Sequence, residues 1–436
     1  MPISVAIVGS GPSGFYTAEA LAKAEADCLI DIIERLPAPH GLIRYGVAPD
    51  HQTTKKVSRN FDKTAGHESV RYFGNIEVGR DISVEELRSI YDAVVFAIGA
   101  PFDRKLGIPG EDKDGVIGSA AFVGWYNGHP DFVDLAPNLD TPNVCVVGNG
   151  NVAIDIARVL VKTRSEMASS DIPEYALGAI ERSAVRDVHM LGRRGPIEAK
   201  FTNVELREMA ELEACAPVID AAILPDGVPE ESEMSDRDRR LRERNLATLR
   251  AFAERDPDAM PKRVHFQFFA APVEILGGDR VEGLRLERTE VVDGRAVGSG
   301  AFFEIETGLV IPAIGYRSHG LAGLPFDEAG GIVISDDGRI DDGLYCVGWV
   351  KRGPTGVIGT NRPDGQAAAR QIVEDHPRGG KPGREALIEM LGDRGARMVS
   401  YQDWQTLDAH EQAQAGDAAP RRKLVTVEEM LGVLDG

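Results

Sequence analysis

Two glycine-rich runs in this 436-residue chain carry the residue types and spacing for chemistry. The first is Gly9-Ser10-Gly11-Pro12-Ser13-Gly14, set between the apolar stretch 3–8 and Phe15-Tyr16-Thr17-Ala18-Glu19-Ala20-Leu21. That order predicts a strand, a tight turn and a helix. Gly9 makes the turn, Gly11 lets backbone approach a pyrophosphate, and Gly14 lets the helix pack closely on the strand. Unpaired N–H groups and the positive end of the helix dipole then face the phosphates. A second strand, 29–33, ends at Glu34, twenty residues beyond Gly14. That is the spacing at which an acid accepts from a ribose hydroxyl. The competing reading is a structural glycine turn, which requires neither the flanking elements nor the acid.

The second run is Gly148-Asn149-Gly150-Asn151-Val152-Ala153, after the apolar stretch 143–147 and before a helix that begins near Ile154. Ala153 replaces the third glycine, as this fingerprint permits. The next strand, 185–191, is delayed by a long insertion and ends in Gly192-Arg193-Arg194-Gly195. A carboxylate there would repel a ribose 2′-phosphate, whereas two guanidiniums pair with it. The first run therefore predicts an adenine dinucleotide without a 2′-phosphate, and the second predicts NADP. The alternative for Arg193 and Arg194 is a solvated basic turn. Two dinucleotides that exchange electrons point to FAD with NADP(H).

These sites need strands to hold them. Apolar runs ending in glycine at 92–99 and 308–315 would close the two units, and 343–348 returns to a flavin-like turn. The expected fold is α/β, with two Rossmann-like dinucleotide-binding domains, the NADP domain inserted into a split FAD domain. The expected divisions are 1–104 and 316–436 for the FAD domain, the latter carrying a C-terminal tail, and 105–315 for the NADP domain, with breaks in Pro/Gly-rich stretches.

Composition agrees. Hydrophobic residues at 43% and charged residues at 27% exclude a disordered chain. The net charge of −20 repels nucleic acid and anionic lipid, so an anionic partner must find a local basic patch. Cys28, Cys145, Cys215 and Cys346 lie far apart, which argues against a redox dithiol, a Cys-only zinc site or an iron–sulfur loop. Reduced thiols, no run long enough to span a bilayer and an apolar strand directly after Met1-Pro2 give a cytoplasmic expectation, without membrane insertion. No heptads or repeats mark an oligomer, and a monomer is favoured.

Several blocks give the chain a resemblance. Gly41-Leu42-Ile43-Arg44-Tyr45-Gly46-Val47-Ala48-Pro49-Asp50-His51, Phe122 to Asn127, Gly148 to Asp155, Gly192 to Pro196, Phe201 to Glu208 and Gly348 to Ile358 are the strongest. The sequence resembles an adrenodoxin-reductase-type ferredoxin–NADP+ reductase of bacterial type along nearly its whole length. The resemblance implies hydride transfer from NADPH to FAD N5, then single-electron transfer to a ferredoxin-type iron–sulfur protein. It also implies that Ser13, Glu34, Leu42, Val78, Trp349, Gly356, Val357 and Ile358 contact FAD. On NADP it places Arg104, Asn149, Gly150, Asn151, Val152, Arg193, Arg194, Glu205 and Gly356. His51, Asp155 and Glu205 are candidates for steering or relaying protons, against purely structural roles for each.

An acidic ferredoxin needs a basic docking patch on an acidic protein. Residues 236–244 carry five Arg against three acids, with Arg240 and Arg244 one helical turn apart. A self-paired solvated face is the alternative, and Lys351 with Arg352 is a second candidate. Two functional rivals stand beside the reductase: an FAD/NADPH-dependent monooxygenase and a non-catalytic dinucleotide-binding protein. Phe122-x-Gly124 followed by His129 is a near miss to a monooxygenase signature, with the histidine one residue late.

Overall fold

The computed structural model describes residues 1–24, 26–229 and 234–436. Its internal contacts divide the chain into two units. One comprises Met1–Phe102, Asn127–Val133 and Gly315–Gly436, and the other Asp103–Tyr126 and Asp134–Ile314. Against the expected boundaries, residues 127–133 go with the first unit. Side chains hold them there: Arg35 Nη1 donates to Asp131 Oδ1 at 3.1 Å, and the His129 ring lies 4.8 Å from that of Tyr45. The near-miss histidine is thus part of a packing cluster.

The first unit is built on a six-stranded sheet in the order 339–341, 344–346, 93–96, 3–8, 28–33, 70–73. All its pairings are parallel except that of the outermost 339–341 strand. Strand Ile3–Val8 is buried at every residue, which explains its unbroken apolar run. Helix Pro12–Ala22 covers one face together with helix Asn361–Asp375, and Phe15 stacks on Phe61 at 5.0 Å. Helices Val84–Ile90 and Arg384–Asp393 cover the other through Leu87, Leu387 and Leu391.

The C-terminal helices Tyr401–Ala413 and Val427–Asp435 pack Trp404, Leu407 and Met430 against Ala38. Within this packing lies a buried, bidentate ion pair. Arg44 donates to both Glu411 oxygens, at 2.9 Å for Nη1 to Oε2, and the two side chains are 4% and 1% exposed. Leu424 N–H adds a bond of 2.9 Å to Glu411, and Lys423 Nζ donates to the Arg44 carbonyl at 3.1 Å. Burial alone would raise the Glu411 carboxyl, but the Arg44 guanidinium outweighs it and holds the group below the ordinary range.

The second unit has a five-stranded sheet in the order 309–312, 143–147, 187–191, 262–267, 215–218, parallel throughout. Helix Asn151–Val161 follows the second glycine turn, and helix Glu174–Glu181 occupies part of the insertion before the next strand. A three-stranded antiparallel sheet, 270–276, 283–292 and 295–306, packs Ile275, Leu284 and Leu286 against Cys145 and Val147. The sequence reading did not anticipate that sheet. All four cysteines are free and buried. Burial pushes the Cys28 thiol up to about 11 and those of Cys145 and Cys215 to about 12, so they stay protonated. Among the described residues no helix is long and apolar enough to cross a membrane.

Two stability predictions follow from these interiors. Glu411→Ala leaves Arg44 buried without its anion, at a cost of about 3–5 kcal/mol. Urea denaturation of the variant beside the wild type measures it. Burial also pushes the imidazoles of His129 and His189 down to about 4, from 6.5 in the unfolded chain. Between those values the unfolded chain binds more protons than the native one, so stability falls as pH drops through that window. The urea midpoint should be lower at pH 5 than at pH 7, and His189→Gln should remove part of the difference.

Candidate dinucleotide sites

The two glycine turns have the same backbone construction. Gly9 N–H donates to Ile33 O at 2.8 Å, and Ala97 N–H to Val8 O at 2.8 Å. A Cβ on Gly9 would sit 2.5 Å from Ala97 O. In the second unit Gly148 N–H donates to Leu191 O at 2.9 Å and Ala313 N–H to Val147 O at 2.8 Å. A Cβ on Gly148 would sit 2.4 Å from Ala313 O. Each first glycine is therefore wedged against the strand that closes its unit. The third positions differ, as the sequence does. A Cβ on Gly14 would meet Gly9 O at 2.1 Å, whereas Ala153 is accommodated with its methyl fully buried.

Gly11 and Gly150, the middle glycines, cap their helices, and a Cβ on either would meet nothing within 4 Å. Protein packing does not require glycine there. A close approach by a ligand's phosphates does, and the helix N-termini beside them supply the donors. On this ground both turns fit a dinucleotide.

Around Gly11 the first unit gathers the expected flavin residues. Glu34 Oε2 accepts from Ser10 N–H at 3.0 Å and Ser10 Oγ at 2.6 Å, so the acid braces the turn while remaining half-buried at the strand end. His40 N–H donates to Ser10 O at 3.1 Å, and a Cβ on Gly41 would lie 3.0 Å from Gly11 Cα. Leu42 follows directly, 42% exposed. Gly348, at φ +73°, presses on Ser13, where a Cβ would meet the Ser13 Cβ at 2.7 Å. Trp349 comes next, its indole N–H donating to Thr355 O at 3.2 Å and its ring 5.9 Å from that of Tyr316. Val357 is 66% exposed, Gly356 has φ +85°, and Ile358 begins a short 3₁₀ turn. Val78 is buried, two residues past Ile76, whose N–H donates to Glu34 O at 2.9 Å. Exposed Leu42 and Val357 with three converging turns suit a flat, largely apolar ring system. His51 caps helix Gln52–Lys55 and is half-buried.

In the second unit Asn149 projects its amide over Gly192, where a Cβ would meet Asn149 Nδ2 at 1.5 Å. Asn151 Oδ1 accepts from Thr202 N–H at 2.8 Å, tying the turn to the start of helix Asn203–Glu208. Val152 is half-buried beside it. Arg193 and Arg194 have fixed backbones and uncommitted heads. Thr289 Oγ1 donates to Arg193 O at 2.7 Å and Phe269 N–H to Arg194 O at 3.2 Å. Neither guanidinium takes an acid or a hydrogen bond among the described residues. Arg104 is half-buried, just inside the second unit.

Glu205 is half-buried on helix Asn203–Glu208, its N–H directed to Thr202 Oγ1 at 3.4 Å. Asp155 accepts from Arg158 Nη2 at 2.9 Å, and buried Arg158 also approaches Glu208 at 3.3 Å. Asp155 therefore orients a buried cation. Arg240 and Arg244 are exposed on helix Asp236–Ala253, each Nε donating to a helix carbonyl one turn back at 3.1 Å. Lys351 and Arg352 are instead committed to Asp337 at 2.8 Å and Asp364 at 2.9 Å. Sequence reasoning gave no individual role to Ser10, Gly192, Thr202, Thr289 or Phe269, which brace Glu34, leave room for Asn149, or hold Asn151, Arg193 and Arg194.

The contrast among glycines is testable. Gly14→Ala forces helix and strand apart and should cost about 1–3 kcal/mol of stability. Gly11→Ala should unfold at the wild-type denaturant concentration yet lose flavin on gel filtration.

Comparison with known proteins agrees with this geometry. Residues 3–213 match the pyridine nucleotide-disulphide oxidoreductase family. NADPH-ferredoxin reductase FprA of Mycobacterium tuberculosis is 41% identical, over 99% of both chains. The mitochondrial NADPH:adrenodoxin oxidoreductase of Homo sapiens is 42% identical, over 99% of this chain and 91% of that one. The structure of M. tuberculosis FprA in complex with NADPH superposes with a TM-score of 0.95 over 100% of both chains, at 39% identity. Likeness of this extent, with both glycine turns inside it, means that the chain belongs to the adrenodoxin-reductase-type NADPH–ferredoxin reductases.

Proposed function

We propose that this protein oxidises NADPH and passes the electrons one at a time to a ferredoxin-type iron–sulfur protein. One NADPH reduces two such acceptors and releases NADP+ and a proton. FAD supplies the conversion of a two-electron hydride into single electrons. The observation that carries the reading is the asymmetry of the turns: Glu34 braces the first, whereas the second ends at two uncommitted arginines.

The chain's own work is positioning. Gly9, Gly11, Ser13 and Gly14 hold the FAD pyrophosphate on the first turn, and Glu34 offers its remaining lone pairs to the ribose. Leu42, Val78, Trp349, Gly356, Val357 and Ile358 wall the flavin ring and exclude water from it. Gly148, Asn149, Gly150, Asn151 and Val152 hold the NADP pyrophosphate, while Arg193 and Arg194 take the 2′-phosphate, with Arg104 and Glu205 as further NADP contacts. His51 and Glu205 are the candidates to move a proton, on the resemblance of the segments that carry them. Asp155 acts through Arg158 and Glu208 as a positioning residue. Arg240 and Arg244 give an acidic ferredoxin a cationic face on the second unit. Four buried, protonated thiols suit the reducing cytoplasm.

Anaerobic titration of the flavoprotein with NADPH and with NADH tests the reading. Bleaching should occur at far lower NADPH than NADH. A flavin that neither nucleotide bleaches would overturn the function. Charge-assisted bonds are worth about 1.5–3 kcal/mol each, so Arg193→Ala with Arg194→Ala should weaken NADPH binding by roughly 100-fold or more. NADH binding should change by less than about 3-fold, since it lacks the group they read. Equal losses would remove the arginines from 2′-phosphate recognition.

A further inference from the structure

The first unit carries a second cationic surface. Residues 51–61 contain no acid at all, within a chain of net charge −20. Helix Gln52–Lys55 runs almost directly into helix Ser58–Ala65, because Lys56 and Val57 both keep right-handed helical backbone. Lys56, Arg59 and Lys63 therefore recur at intervals of three and four residues on one face. All three are exposed, and none has an ion pair or hydrogen bond to another side chain among the described residues.

The inner face of the same segment is fully committed. Phe61 is buried against Phe15 of the first dinucleotide helix. Asp62, the acid beside Lys63, is half-exposed but committed to this unit's interior groups, with Oδ1 accepting from Tyr401 at 2.6 Å and lying 3.0 Å from His40 Nε2. Lys55 is buried and reaches Asn127 Oδ1 at 3.4 Å. Helix Gln52–Lys55 also packs on the short helix Leu42–Tyr45, which begins with the exposed Leu42. Like charges at these helical spacings repel, so the stripe opposes the stability of its own helix. Its inner face is fixed by packing, and its outer face is left cationic beside the flavin wall.

We propose that Lys56, Arg59 and Lys63 form a docking face on the flavin unit for the acidic iron–sulfur protein that accepts its electrons. This inference rests on the function proposed above and adds a surface separate from Arg240 and Arg244. Three uncompensated cations on an acidic protein complement an acidic partner and repel none of its carboxylates. The segment also packs on the helix that presents Leu42, one of the residues assigned above to the flavin wall.

The test uses the flavin-loaded full chain, NADPH and a purified acidic [2Fe–2S] ferredoxin. The triple variant K56E/R59E/K63E should raise the ferredoxin KM by about 10-fold or more at low ionic strength, with the difference shrinking as salt is added. Ferricyanide reduction and flavin content should stay at wild-type levels. An unchanged ferredoxin KM in a variant that retains flavin would overturn the proposal. If charge reversal costs flavin, K56Q/R59Q/K63Q decides instead. A raised, salt-sensitive KM supports the docking face, and a wild-type KM removes it. A wild-type enzyme that NADPH bleaches but that reduces no ferredoxin at any salt would instead overturn the proposed function, and the docking face with it.

Discussion

A carbonyl oxygen set against a glycine Cα is the constraint on which both units depend. At Gly9 and again at Gly148, the closing strand's first residue beyond the sheet, Ala97 or Ala313, leaves no room for a side chain. That contact brings three strand ends to one point, which is where a helix can start with its N–H groups directed outward. Everything at the two sites is then a matter of what is hung around the turn. The first unit adds Glu34, the 40–42 corner and the Gly348 turn, and the second adds Asn149, Asn151 and the arginine pair.

The two turns also show how one backbone solution tolerates different side chains. In the first, the helix lies so close that Gly14 cannot be alanine without moving Gly9 O. In the second, the methyl of Ala153 is buried without a clash. The permitted Gly-to-Ala exchange in such fingerprints reflects a small difference in how tightly helix and strand approach. What differs between the turns lies elsewhere, in the acid or the arginines at the end of the neighbouring strand.

The parts legible in the sequence were those written in short-range pattern. Strand, turn and helix around residues 3–21 and 143–161, the acid at 34 and the arginines at 193 and 194 lie within single supersecondary units. The proposed flavin wall at Leu42, Trp349 and Val357 entered by resemblance, since nothing in local pattern links positions three hundred residues apart. The Arg44–Glu411 pair was illegible for the same reason, because neither residue announces its partner across such a span. The return of 127–133 to the first unit depends on Arg35 meeting Asp131 and Tyr45 meeting His129, contacts that exist only once the fold has formed. The antiparallel sheet over 270–306 was missed because its outermost strand is mostly exposed, carries Gly298 and Gly300 and lacks a clean alternation.

The first unit is assembled from three pieces of chain, and this orders its completion on the ribosome. Strand Ala93–Phe96 finds its second neighbour only when Leu344–Cys346 has been made. Glu411, the anion that neutralises Arg44, emerges later still. Throughout synthesis of the second unit the first unit's nascent sheet keeps an open apolar edge, and Arg44 lacks the anion that neutralises it in the finished fold. The second unit, finished by residue 314, can fold while translation continues. The first unit's sheet and its buried ion pair are therefore completed last, after the whole of the second unit has been made.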